Sequence, residues 1–202
     1  MKLAVCSITH DSVHSLELVS RHILDWRLQT DQRFKLFICH DGPTTEREDR
    51  MNIDDLELRG NESLITWRER RRAWGAYCRK DLLGLIDPEE HPYIFMCCAD
   101  DQINGRLVET VFREMDGNTD MVMWLLAHHH YGHKPIPLGT WPTLSRCDWS
   151  SGVIRTEIAQ KAGINQPDEY AGDGFYWQDC FSVMNQDTSR LKILDSYLVF
   201  KN

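Results

Sequence analysis

The sequence predicts an α/β protein built on an open, mostly parallel central sheet flanked by helices, and three features carry that expectation. Apolar runs of strand length alternate with segments of helical period through the first two thirds of the chain. The runs "KLAVCSI", "FKLFIC" and "YIFMCC" lack polar alternation, as strands covered on both faces do. Polar clusters follow three of these runs directly, at the strand ends where open α/β sheets bind their ligands.

Residues 2–8 read as the first buried strand, and Leu16, Val19, Ile23 and Trp26 then recur at helical spacing through about residue 28. "FKLFIC" (34–39) is a second strand, closed by the turn residues Gly42 and Pro43. Strand, helix and strand joined by short loops make a parallel βαβ unit with a right-handed crossover. A short strand "SLITW" (63–67) precedes a helix in which Trp74, Cys78, Leu82 and Leu85 share one face. "DPEEHP" breaks that helix before "YIFMCC" (93–98). A helix over 103–115, with Leu107, Val111 and Met115 on one side, leads to the strand "DMVMWLLA" (120–127). Between 128 and 147 regularity stops, and a long irregular stretch inside a compact domain is often functional. "DWSSGVIR" (148–155) resumes as a strand entering a helix that stops at Gly163. A last helix containing "FYWQDCFSVM" and a strand "LKILDSYLVF" complete the pattern. No repeat or linker divides it, so residues 1–202 read as one domain.

Composition narrows the class. The net charge of −8 disfavours general electrostatic binding to nucleic acid, although "RERRRAWGAYCRK" (68–80) forms a local basic segment that is either a solvated helix face or an anion site. No apolar run approaches transmembrane length, and "MKLAVCSITHD" turns polar by residue 9. Seven cysteines without CxxC pairs suit free thiols in a reducing compartment, so a cytoplasmic location is expected.

The polar strand ends are Thr9, His10 and Asp11; His40, Asp41 and Gly42; and Asp100, Asp101 and Gln102. Asp11 alone reads as a helix cap. Together the clusters suggest a nucleoside-diphosphate site. Asp41 would accept from a ribose or a base edge, with Thr9 and His10 lining the same pocket. Asp100 and Asp101 are adjacent carboxylates that raise each other's pKa unless a cation offsets them, and Mg²⁺ or Mn²⁺ would do so while bridging to phosphate. Arg72 or Arg79 would then meet the diphosphate. Neither GxGxxG nor GxxxxGK[ST] is present.

The order of "LAVCSITH", "ICHDGP", "RRAWGAYCRKDLLGLI", "YIFMCCADD", "WSSGVIR", "GDGFYWQD" and "ILDSYLVFKN" resembles that of GT-A fold glycosyltransferases, most closely the inverting family 2 type. The resemblance implies a nucleotide-sugar-binding half over about 1–102 and an acceptor and catalytic half over about 103–202. It implies a nucleoside contact at Asp41 and a metal motif on Cys98, Ala99, Asp100 and Asp101, with Cys98 in place of the motif's first acid. Ser151 and Gly152 would border the donor sugar. The base that takes the acceptor's proton falls on Asp173, with Asp179 as the competing alignment; Gly172 and Gly174 flank Asp173 as they would a helix start lining a pocket.

"HHHYGH" places His128, His129, His130 and His133 together, but adjacent histidines cannot all face one ion and the spacing is not HExxH. The resemblance leaves His133 as a metal ligand, since GT-A enzymes often complete the site with a late histidine. Trp141 and Trp149, beside loop prolines and glycines, are the aromatic candidates for stacking on a sugar of the acceptor site. The activity expected is metal-assisted transfer from a nucleotide-diphosphate sugar to an acceptor hydroxyl on a small molecule, lipid carrier, protein or modified DNA base. A nucleotidyltransferase and a non-catalytic nucleotide-sugar-binding module are the alternatives.

Overall fold

In the computed structural model of the protein, the residues described are 1–10, 15–42, 53–67, 69, 73–128, 135–136, 147–169 and 171–201. Strand β1 (Leu3–Thr9) is buried along its whole length because both of its faces are covered. It pairs in parallel with β2 (Phe34–His40) on one side and with β4 (Tyr93–Cys98) on the other, and β3 (Glu62–Thr66) extends the sheet beyond β2. Helix α1 (Leu16–Arg27), capped by the Ser15 side chain on the Leu18 N–H, makes the β1-to-β2 crossover.

The second half joins the same sheet through β8 (Gly152–Arg155), antiparallel to both β4 and β6 (Met121–His128). Strand β9 (Leu191–Lys201) runs parallel to β6, and the two-residue β5 (Gln102–Ile103) pairs with its end. The order is β3-β2-β1-β4-β8-β6-β9-β5, with β7 (Pro135–Ile136) paired to β6. Strands β1, β2, β3, β4, β6 and β9 therefore share one direction, which is the mostly parallel sheet expected.

Successive residues of β1 face opposite layers. Leu3 and Val5 join Val19, Ile23 and Trp26 of α1 and Leu107 and Val111 of α3 (Leu107–Glu114). Ala4, Cys6 and Ile8 join α2 (Ala76–Leu85), α4 (Thr156–Ala162) and α5 (Gly172–Val183). Helix α4 ends at Gly163, whose φ of 68° suits a residue without Cβ.

Several boundaries differ from expectation. The strand expected from 148 begins at Gly152, because Asp148 caps a 3-10 turn over Trp149–Ser151. The helix expected from 103 begins at Leu107, since Gln102 and Ile103 pair with β9. Trp74 lies in a 3-10 turn ahead of α2. Leu85, expected on the buried face of α2, is 71% exposed.

Candidate active site at the carboxyl edge of the sheet

Thr9, His40, Cys98 and Lys201 end four strands of one direction, and Gly152 begins an antiparallel strand, so all five lie along one edge of the sheet. The polar clusters of the sequence meet there. Thr9 is fully buried, and its Oγ1 has no hydrogen-bond partner among the described residues. His10 is half-buried beside it. Asp41 is buried at the end of β2, where its N–H donates to the Thr9 carbonyl (2.8 Å) and its Oδ1 accepts from the Cys78 thiol (3.5 Å). Gly42 follows at φ 107°, a conformation that favours glycine.

The adjacent acids after β4 take different directions. Asp101 turns inward: its Oδ2 accepts from the Cys98 N–H (2.9 Å) and its side chain is fully buried. Its carbonyl accepts from His22 Nδ1 (2.8 Å). The His22 tautomer follows from its partners, because Trp26 Nε1–H donates to Nε2 (3.0 Å) and leaves the proton on Nδ1. His22, buried on α1, thus fixes the turn that carries both acids. Asp100 stays half-buried and lines a small hollow with Arg21, His22 and Asp25 of α1.

Arg79, expected to face a diphosphate, is fully buried behind β4. Its Nη2 donates to the Cys97 carbonyl (3.0 Å) and to Cys98 Sγ (3.1 Å), and its guanidinium lies 4.8 Å from the centre of the Trp149 ring. Trp149 also packs 5.3 Å from Tyr176 and is 7% exposed. The sugar platform expected from Trp149 is therefore a core contact. Arg72, Trp141 and His133 lie outside the described residues.

Ser151 and Gly152 hold the start of β8. The Ser151 hydroxyl accepts from the Asp148 N–H (2.7 Å), and a Cβ on Gly152 would stand 2.4 Å from the Val122 carbonyl oxygen. The packing leaves no room there for any side chain. Asp148, which is not among the polar strand ends of the sequence, is the acid of this corner. Its Oδ1 accepts from the Ser150 N–H (3.0 Å) and hydroxyl (2.9 Å), and its Oδ2 accepts from Lys201 Nζ (2.8 Å). Lys201 Nζ also stands 3.7 Å from Asp101 Oδ1.

These contacts separate the acids electrically. Burial raises the Asp148 pKa, but Lys201 and the Ser150 donors outweigh it and hold the group below the usual carboxylate range. Burial pushes Asp101 up, with Asp148 and Asp100 adding to it against Lys201. Asp173, in the first turn of α5, accepts from the Gly174 N–H (2.8 Å). Burial, then the Asp148 charge, lifts its pKa to about 6, opposed by the Gly174 N–H, Lys201 and Arg79. Asp179 sits on another side of α5, where its Oδ2 accepts from Asn165 Nδ2 (3.0 Å).

A divalent cation needs several oxygen or nitrogen donors around one point. Among the described residues no three His, Cys, Asp or Glu side chains meet in that way. Cys98 stands where a carboxylate was expected, Asp101 Oδ2 accepts from the Cys98 N–H while its Oδ1 has no hydrogen-bond partner among the described residues, and Lys201 holds Asp148. The described donor set thus falls short of a cation site, with Asp100 its remaining expected ligand.

No protein-family model matches the sequence, and no curated protein is significantly similar to it. Solved structures are similar in fold. S. aureus TarS, a GT-A fold glycosyltransferase, superposes with a TM-score of 0.72 at 13% identity over 100% of this chain and 37% of TarS. The chain has the GT-A fold. TarS 1–349 in complex with UDP matches at a TM-score of 0.72 and 13% identity, over 99% of this chain and 60% of that one. TarS 1–349 in complex with UDP-GlcNAc matches at 0.74 and 14%, over 99% and 58%. The chain thus spans three fifths or less of the length of these GT-A neighbours.

Proposed function

We propose that the protein is a glycosyltransferase that moves a sugar from a nucleotide-diphosphate donor to an acceptor hydroxyl, with inversion. The carrying observation is Asp173, a half-buried carboxylate at the strand-end cluster with a pKa lifted to about 6. A general base works best when its pKa lies near the operating pH. The GT-A fold, and the UDP and UDP-GlcNAc held by its neighbours, support a donor of that class.

Asp41 and the buried ends of β1 and β2 would hold the nucleoside, and Ser151 and Gly152 would border the sugar. The acceptor oxygen bonds to the anomeric carbon from the face opposite the diphosphate. The bond between that carbon and the diphosphate oxygen breaks, its electron pair leaves on the diphosphate, and the hydroxyl proton passes to Asp173. Attack opposite the leaving group inverts the anomeric centre. No step is assigned to a divalent ion, because the described residues do not assemble its ligands. Seven free thiols fit a protein of a reducing compartment, and no helix among the described residues is long and apolar enough to cross a membrane.

Nucleoside-diphosphate release from a panel of nucleotide sugars tests the reading. One donor should turn over slowly to water and faster with a suitable acceptor, and Asp173→Asn should lower both by about two to four orders of magnitude. If donors bind without turnover under every condition, the protein is a nucleotide-sugar-binding module instead.

A further inference from the structure

The end of β9 carries a group that the proposed reaction has not used. Lys201 is an amine at the close of an otherwise apolar stretch, "YLVFK", and its side chain is 11% exposed. Long basic side chains are seldom so enclosed unless paired. Its Nζ makes a hydrogen bond to Asp148 (2.8 Å) and lies 3.7 Å from Asp101, too far for a second one. An ammonium has three donors, so two N–H groups are unspent among the described residues. Asp101 Oδ1 likewise has no hydrogen-bond partner among them. The ammonium is therefore held at the cluster by charge more than by saturated hydrogen bonding.

Arg79 and Lys201 are the buried cations of this corner, and the acids whose charges reach it are Asp101 and Asp148, with Asp100 and Asp173 beside them. Buried charges need partners, and in an acid-rich donor site a metal would supply the positive ones. Here Arg79 and Lys201 supply two of them. The two departures from a metal-binding pattern fall at one place: Cys98 removes a carboxylate from the end of β4, and Arg79 and Lys201 bring positive charge up to that same Cys98.

Resting on the glycosyltransferase reading, we infer that Lys201 is the resident cation of the donor site, meeting the diphosphate at the end of β4 in the place a divalent ion would take. Its two unspent N–H groups suit phosphate oxygens, and its charge offsets the one that grows on the departing diphosphate. Arg79 adds a fixed positive charge from behind the strand.

Isothermal titration with UDP, GDP, ADP, CDP and dTDP, in EDTA and in excess Mn²⁺, on the wild type, Lys201→Arg and Lys201→Gln tests this. The wild type should bind one of them in EDTA with a Kd within about threefold of the Mn²⁺ value. Lys201→Gln should weaken binding in EDTA by roughly tenfold to a hundredfold, the worth of a charge-assisted hydrogen bond, while Lys201→Arg keeps most of it. Wild-type binding that requires Mn²⁺ overturns the role of Lys201 and leaves the glycosyltransferase reading standing. Undiminished binding by Lys201→Gln does the same. Binding to none of the diphosphates under either condition overturns both. If Lys201→Gln does not fold, a wild-type requirement for Mn²⁺ still overturns the inference.

Discussion

Replacing Asp173 by asparagine removes a charge that the fold holds at a cost. The carboxyl pKa is about 6 in the folded chain against 3.8 for an unperturbed group, raised by burial and by the Asp148 charge. A raised carboxylate pKa means that the folded state favours the protonated form. Below about pH 3 the group is largely protonated in both states and costs almost nothing. The penalty grows as pH rises through the window between 3.8 and about 6 and is complete above it. Two units correspond to about 3 kcal/mol, and screening of a half-buried group reduces this to about 1–2 kcal/mol. Asparagine keeps the acceptor for the Gly174 N–H (2.8 Å) without the charge. Near pH 8 the variant should therefore melt about 2–8 °C above the wild type for a chain of this size. Near pH 3 the two should nearly coincide. Asp148, Lys201 and Arg79, the other charged groups facing Asp173, are common to both proteins. Turnover should fall by about two to four orders of magnitude, the usual worth of a general base. Melting curves at the two pH values and a diphosphate-release assay suffice. A variant less stable than wild type near pH 8, or one that keeps turnover within about tenfold, refutes the reasoning.

Asp179→Asn should leave turnover within about threefold of wild type in the same release assay, because its carboxylate meets Asn165 and not the strand-end cluster. Gly152→Ala should destabilise the protein by about 1–3 kcal/mol in urea unfolding, since its Cβ would stand 2.4 Å from the Val122 carbonyl and the backbone must shift. Arg79→Leu should cost roughly 3 kcal/mol in the same assay, as it removes a fully buried cation from the Cys97 carbonyl and uncovers Trp149.

The sheet was legible because strands covered on both faces are continuous apolar runs: "LAVCSIT" and "YIFMCC" stand out without any periodicity argument. The polar ends of β1, β2 and β4 were legible for the related reason that charge begins where burial ends. Strand β8 was only half legible. Its apolar residues mark a strand, but its antiparallel place between β4 and β6 depends on long-range packing, and its start depends on the Asp148 cap. Asp148 had a local signature, an acid followed by two serines at capping distance. His22 had none, since a histidine on the buried face of an amphipathic helix reads as ordinary core polarity. Lys201 had only its place at the end of an apolar strand, and its acidic partners come from two distant segments. Trp149 was misread for a comparable reason, because the side chains that cover it lie on α2 and α5.

Everything above turns on this carboxyl edge binding a nucleotide-diphosphate sugar. Thermal melting of the wild type with a panel of nucleotide sugars, UDP-GlcNAc among them, tests it most directly, because a ligand that binds only the folded state raises the midpoint by mass action. One nucleotide sugar should raise the midpoint, its nucleoside diphosphate should do so too, and the free sugar should not. A well-folded protein whose midpoint moves with none of them contradicts it.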